Sequence, residues 1–462
     1  METSAIGRAF WCIGFLLLAS TASLATAKDH RQPVLSLSAQ DVAALTGLTP
    51  GKAAVTVQQK SSVSPWRFHA IRLQSGEQKL SDDPEGHLAK RRFLISERGA
   101  QQIALAFEAD GHFAFGFLDD QNGLQQLRVR TSGASGLHLV AEALEQSPVN
   151  CEVDGLEQPA FRPLKLPPTT TPLIAKGGVP GHQAKVAIEV DFAMMSGHFS
   201  NSTANALNWL QQMFMATNLF YQRDLALQLV MATPVIYHTS TDPYCTGSNP
   251  CTAMPSGAAE LMFQFGDHWR NSHTGIDRDF ATLISGRLSS GNPTGVSWTD
   301  QYCEMGTDIT IGGIGTVTRG SYGVNLYVAG NSFSGGTAAE LFGHELGHQL
   351  GAEHNNCTDS NPGDAGLQPI DTCRYGGGST PSVACYSSSD GPISCPSAGA
   401  GLMMSSGCSD TSVCGSGGMN RIREFHPVQI SKLTGLIAAH TPGCLSTTTL
   451  PDPDTLYYDG FE

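Results

Sequence analysis

The chain has 462 residues, with 27 Lys plus Arg against 41 Asp plus Glu, a formal charge of -14 at pH 7 and only 15% charged residues. That length accommodates two domains of ordinary size, and the acidic balance gives no general electrostatic reason for binding nucleic acid or an anionic membrane. The 51 glycines and 25 prolines suit a loop-rich exported protein better than a helical intracellular one.

In chain order, Arg8 precedes an apolar run over 9–19, and Ala25-Thr26-Ala27 offers the small-x-small pattern of a signal peptidase site. Residues 1–27 therefore read as a signal peptide, and the remainder as secreted. The run is short for a membrane helix, and no later stretch reaches about 18 apolar residues, so no membrane association is expected.

Residues 28–157 read as a small mostly-β domain. The segments 68–73, 101–107, 113–117 and 127–130 alternate in part between apolar and polar residues, with turns bearing glycine or aspartate between them. Arg91 and Arg92, just before the probable strand Phe93-Leu94-Ile95, read as a solvated basic pair. From 158 to 184 the composition shifts: Pro159, Pro163, Pro167, Pro168, Pro172 and Pro180 flank Thr169-Thr170-Thr171 and Gly177-Gly178. Such a segment is an extended, exposed linker, open to an activating cleavage.

A second domain is expected over 185–446. Its first strand is 186–191, followed by a helix over 203–221 and a strand over 225–237 in which Pro234 marks a bulge or an edge. A helix over 257–269, a strand over 279–286, the segment 295–298 leading into Cys303, and a strand over 322–328 come next. The stretch 355–416 is dominated by Gly, Ser, Asp and Cys and has few aliphatic residues to bury, so its order is expected to depend on disulfides. Residues 447–462 form an acidic tail.

Cys12 leaves with the signal peptide. Ten of the remaining cysteines fall in the second domain: Cys245, Cys251, Cys303, Cys357, Cys373, Cys385, Cys395, Cys408, Cys414 and Cys444. An even set in an exported domain reads as disulfides whose pairing the sequence leaves open. Cys151 alone lies upstream without a regional partner. As a thiolate it could occupy a zinc coordination position and exclude water; a buried free thiol and an intermolecular bridge are the competing readings.

The densest chemistry lies in His344-Glu345-Leu346-Gly347-His348-Gln349-Leu350-Gly351-Ala352-Glu353-His354. On a helix His344 and His348 stand one turn apart on one face, with Glu345 beside them. An unbroken helix would rotate His354 away from the pair, so Gly351 is expected to end it in a left-handed conformation and turn the chain back. Gly335-Gly336-Thr337 could start that helix. Three neutral imidazoles suit zinc and leave a fourth position for water, and Glu345 is assigned as the general base. The bland alternative, a surface helix with coincidental histidines, sits poorly with a glycine and a third histidine at fixed offsets.

This extended motif resembles that of the metzincin clan of zinc peptidases, and within it the reprolysin or adamalysin type, including bacterial secreted members. The resemblance implies an α/β (α+β) zincin-like fold: a twisted mixed sheet with a long active-site helix and a disulfide-rich C-terminal subdomain, preceded in this chain by the mostly-β propeptide domain. It implies zinc ligands at His344, His348 and His354, the base at Glu345, and one catalytic zinc ion. A methionine on a tight turn beneath the metal is implied in 401–406, with Met404 preferred over Met403 as a packing floor; taken alone, the pair would read as ordinary core residues. The family also uses a propeptide cysteine as a latency switch, and the resemblance implies that role for Cys151. In this family an edge strand lies antiparallel to the bound peptide, and the region from Gly312-Gly313 to Val317 is placed at that rim. The segment 424–433 resembles the terminal helix after the methionine turn, with His426 structural. The acidic tail resembles a terminal sequence recurring on exported bacterial proteins.

Protein or peptide substrates are the expected partners, and the reaction expected is hydrolysis of peptide bonds by a zymogen-derived endopeptidase. The alternatives are a catalytically silent binding module on the same scaffold and a zinc amidase acting on cell-wall peptides. Calcium is left open as a further ion, unsupported by any specific motif, and the sequence does not give the oligomeric state.

Overall fold

Two sheets, each carrying eight strands, organise the chain. The computed structural model describes residues 33–50, 54–58, 65–73, 90–98, 101–120, 123–131, 136–144, 150–151, 181–244, 257–288, 294–328, 334–354, 403–404 and 423–448. The signal segment, most of the 158–184 linker, the 355–400 stretch and the acidic tail from 449 onward lie outside them.

The first sheet comprises β1 (Leu35–Leu37), β2 (Val55–Val57), β3 (Trp66–Ile71), β4 (Arg92–Arg98), β5 (Gln101–Phe107), β6 (Phe113–Asp120), β7 (Gly123–Thr131) and β8 (Leu137–Ala143), in the order β1-β8-β7-β6-β5-β4-β3-β2. Every pairing is antiparallel. Helix α1 (Ala39–Thr46) is started by a Ser38–Asp41 capping box. The alternation is only partial because both faces are buried. Trp66, Phe68, Leu94, Ile103, Leu105 and Phe107 fill the sheet's own core. Phe93, Ile95, Ala104, Ala106, Phe115 and Phe117, from alternate positions, join the core of the second domain.

The second sheet runs β11-β10-β13-β17-β14-β9, from β9 (Asn150–Cys151), β10 (His182–Val190), β11 (Leu227–Met231), β13 (Phe280–Leu288), β14 (Thr294–Ser297) and β17 (Tyr322–Val328). Short strands β12 (Val235–Ile236) and β18 (Ser446–Thr447) add to β10. The strands β10, β11, β13 and β17 pair in parallel, β14 is antiparallel to β17, and β9 is parallel to β14. Along β10, Val186, Ile188 and Val190 face a core shared with α3 (Thr203–Leu225) and α5 (Gly335–Gln349). Ala187 faces the opposite core, shared with α4 (Ala258–Ser272). Helix α2 (Phe192–Gly197) precedes α3, and α6 (Pro427–Ala439) closes the domain. Among the described residues no helix is long and apolar enough to cross a membrane.

Several elements depart from the sequence expectation for physical reasons. Helix α3 runs to Leu225 instead of 221, through polar Gln222, Arg223 and Asp224 that are satisfied internally. Arg223 pairs with Asp224 and with Asp119 of β6, and donates to the Arg423 carbonyl. The single strand expected over 225–237 is two, because Pro234 lacks the N–H needed to carry the ladder onward. Strand β10 starts at His182, ahead of the expected 185–186. The Arg91-Arg92 pair divides: Arg92 is exposed, but Arg91 is no solvated cation. It binds Glu108 and donates to Asn208 Oδ1 at 2.7 Å and Gln211 Oε1 at 2.9 Å, fastening the first sheet to α3.

Of the ten cysteines expected to pair, Cys303 and Cys444 form a disulfide across a sequence separation of 141; the other eight lie outside the described residues. Beside the bridge, Tyr302 stacks on His440 at 4.0 Å. Because a cross-link over so long a loop restricts the unfolded chain strongly, replacing both residues (Cys303→Ser with Cys444→Ser) is expected to cost about 2–5 kcal/mol. Urea unfolding of the two proteins measures that difference, and an unchanged midpoint would show that packing alone holds the closing segment.

Candidate metal centre

Helix α5 starts where the Ser334 hydroxyl accepts from the Thr337 N–H. It is buried along its whole length, and its glycines make that burial feasible. A Cβ on Gly335 would lie 2.1 Å from the Trp209 carbonyl, one on Gly336 would lie 2.5 Å from the Phe117 ring, and one on Gly343 would lie 2.7 Å from Phe220. Tyr221 donates to the Gly343 carbonyl at 2.7 Å. The helix is thereby clamped against α3 and against β6 of the first sheet.

Its end follows the Schellman pattern. Gly351 has φ of +100°, its N–H bonds to the His348 carbonyl at 2.8 Å, and the Ala352 N–H bonds to the Gly347 carbonyl at 2.9 Å. Asp300 and Gln301 donate backbone N–H groups to the His348 and Gln349 carbonyls, and the Tyr302 hydroxyl donates to Leu350. The last turn therefore leaves few carbonyls without a donor, and the reversed chain carries His354 back over the helix.

The three imidazoles converge. His344 Nε2 lies 3.2 Å from His348 Nε2 and 3.3 Å from His354 Nε2, and the last two are 3.2 Å apart. The far nitrogens decide what this means. His344 Nδ1 lies 2.7 Å from the Met403 carbonyl and His348 Nδ1 lies 2.8 Å from the Ala352 carbonyl. A carbonyl only accepts, so both Nδ1 atoms carry the proton and both Nε2 atoms present lone pairs to each other. Lone pairs at that separation repel unless a cation lies between them. Two nitrogens on one tetrahedral zinc at 2.0–2.1 Å would stand about 3.4 Å apart, so the donor set fits zinc. Burial, followed by the neighbouring His354 and His344, holds His348 well below the usual imidazole range, in the neutral form a metal requires.

Glu345 is fully buried beside the pair. Strand β14 crosses directly over it: a Cβ on Gly295 would stand 2.3 Å from Glu345 Oε1. Beneath the helix, Met403 and Met404 are both fully buried and divide the work of the turn. A Cβ on Gly347 would lie 2.6 Å from Met404 Sδ, so the thioether packs on the helix where it has no side chain, while Met403 contributes the carbonyl that fixes His344. Arg423, ahead of α6, reaches Glu340 of α5, and the Phe425 N–H donates to Asp224 of α3. His426 is buried and stands outside the converging trio.

Residues 312–317 belong to a separate hairpin of β15 (Thr307–Ile311) and β16 (Gly315–Arg319). The strand beside Glu345 toward the sheet's edge is β14, whose four residues are too few to show a period in the sequence, with β9 paired outside it. Cys151 lies on the strand paired to β14, with its Cα opposite Gly295. The carbonyls of Met403 and Ala352 and the N–H donors of Asp300 and Gln301 were not legible in the sequence, because main-chain groups leave no mark on side-chain identity.

Fold and donor set together define a metzincin-type zinc site. Residues 182–418, about half of the 462, match the family model Reprolysin_5, described as metallo-peptidase family M12, and the chain belongs to that family. No curated protein matches significantly. Among solved structures, one described as a chaperone-substrate complex aligns at 11% identity with a TM-score of 0.25, over 53% of this chain and 29% of that one. The chain thus spans under a third of that relative's length, and so low a score carries no argument.

Gly351→Ala tests the turn, since the added Cβ meets Leu436 Cδ1 at 2.6 Å at a backbone angle that L side chains rarely adopt. The expected result is a loss of at least about 1–2 kcal/mol of stability and zinc binding weakened about 10-fold or more, read by denaturation and by competition with a chelator.

Proposed function

We propose that this chain is a secreted zinc endopeptidase made as a latent precursor. The observation that carries the reading is the buried Glu345 carboxylate, set beside three converging imidazoles and directly under the sheet edge at Gly295. A protein that only bound a partner would have no chemical use for a carboxylate base at that point.

His344, His348 and His354 hold the metal. Zinc bound there supplies Lewis acidity, which makes water a nucleophile at neutral pH and polarises a peptide carbonyl. Glu345 takes a proton from the attacking water and passes it to the departing amine, so one carboxylate serves as base and then as acid. Its place against Gly295 puts it where a peptide lying along β14 would run. An exposed edge offers unpaired N–H and C=O groups to an extended peptide, which suits protein or peptide substrates.

Latency follows from the same edge. The Asn150–Cys151 backbone pairs with β14 in the parallel sense, so a substrate strand and this segment compete for one row of backbone groups. Cys151 is opposite Gly295, and a thiolate there would complete the zinc coordination in place of water. We assign residues 1–27 to export, 28–157 to the propeptide and the 158–184 linker to activating cleavage, and 185–446 to the catalytic domain. The first sheet supports this assignment, because it lies wholly upstream of the linker and shares a core with α3.

Two outcomes test the reading. Glu345→Gln should retain zinc and lose about 10²- to 10⁴-fold in peptide hydrolysis, measured on a mixed peptide library with and without chelator; wild-type rates would refute the base. In the uncleaved precursor, Cys151→Ala should hydrolyse peptides that the wild-type precursor leaves intact, and unchanged latency would reject the thiol lock.

A further inference from the structure

A second set of metal-type donors stands on the other face of the catalytic sheet. Glu189 follows Ile188 on β10, so it faces the α4 side, across the sheet from α5. His268 lies in the last turn of α4 and His273 is its C-cap. The donor atoms of Glu189, His268 and His273 all lie within 4.8 Å of one another. His268 Nε2 and His273 Nε2 are 3.1 Å apart, and His273 Nε2 is 3.8 Å from Glu189 Oε2. Donors bound to one zinc at about 2.0–2.2 Å stand roughly 3–4 Å apart, and the two separations at His273 fall in that range.

We propose that Glu189, His268 and His273 form a second zinc site, structural in role, that ties the end of α4 to the central strand β10.

The surroundings are those of a built site. Glu189 is fully buried, and both its oxygens are already aimed: Tyr244 donates to Oε1 at 2.5 Å and Trp269 Nε1 donates to Oε2 at 2.5 Å. Neutral donors of this kind orient a ligating carboxylate while leaving it lone pairs for an ion. The Trp269 ring lies against His273 with centroids 4.7 Å apart, and the Arg278 guanidinium covers the indole at 4.7 Å, which fixes the imidazole's plane. Tyr237 places its hydroxyl 3.1 Å from His268 Nε2, where it could fill a fourth position or order a water that does. Both histidines are only half-buried, so an ion has a path in from solvent. A carboxylate with two imidazoles is a donor set that zinc accepts. The competing explanation is an ordinary imidazole–imidazole hydrogen bond at the same 3.1 Å.

Counting metal separates the two. Full-length protein is stripped with chelator, reloaded with zinc chloride alone, desalted, and its zinc measured by atomic emission. Two ions per chain are expected for the wild type and one for His344→Ala with His348→Ala, which leaves the proposed site intact. A single ion in the wild type and none in that double variant would overturn the proposal, whatever becomes of peptide hydrolysis. His268→Asn with His273→Asn should also hold one ion. Should that pair fail to fold, Glu189→Gln in the catalytic-ligand double variant keeps both imidazoles. Zinc binding there is expected to weaken about 10-fold or more, and undiminished binding would exclude Glu189 as a ligand.

Discussion

Two imidazole nitrogens with their lone pairs turned on each other in a dry interior constitute the constraint from which the rest of the structure follows. The Met403 and Ala352 carbonyls take the protons on the far side of the rings and so settle the tautomers. Both carbonyls belong to tight turns, one beneath the helix and one at its end, and neither turn has freedom to relax. The Schellman end at Gly351 delivers His354 and the Ala352 carbonyl in one stroke. The fold therefore holds the Nε2 lone pairs of His344 and His348 facing each other, a geometry that a bound cation would satisfy.

Close approach is the second theme, and glycine is its instrument at the positions that matter. At Gly347 the missing side chain admits the Met404 thioether, and at Gly295 it lets the sheet edge pass over Glu345. At Gly336 it admits Phe117 from the first sheet, so that sheet touches α5 itself. That contact, the Arg223–Asp119 pair and the Arg91 bonds to Asn208 and Gln211 join the two sheets through one apolar core. On this footing the upstream segment at 150–151 meets β14 in a fixed register.

Sequence reading was strongest where side-chain identity carries the chemistry. The His344–His354 spacing, the need for a turn at Gly351, the methionines at 403–404 and the helix-to-strand order of the second domain all follow from residue type and period. It was weakest where burial changes the meaning of a polar residue. Arg91 read as solvent-facing but binds two side chains of α3. Gln222-Arg223-Asp224 lie past the expected helix end but continue the helix, because Gln222 donates to Asn218, Arg223 pairs with Asp119 and Asp224 accepts from the Phe425 N–H.

By itself, then, the sequence determined the donor set, the base and the family, since zinc chemistry depends on which atoms are offered at what interval along a helix. Tertiary structure alone decided which strand forms the rim beside Glu345, which carbonyls fix the imidazoles, and that Cys303 joins Cys444. Those choices depend on main-chain groups and on residues distant in the chain, and a linear pattern has no period that encodes either.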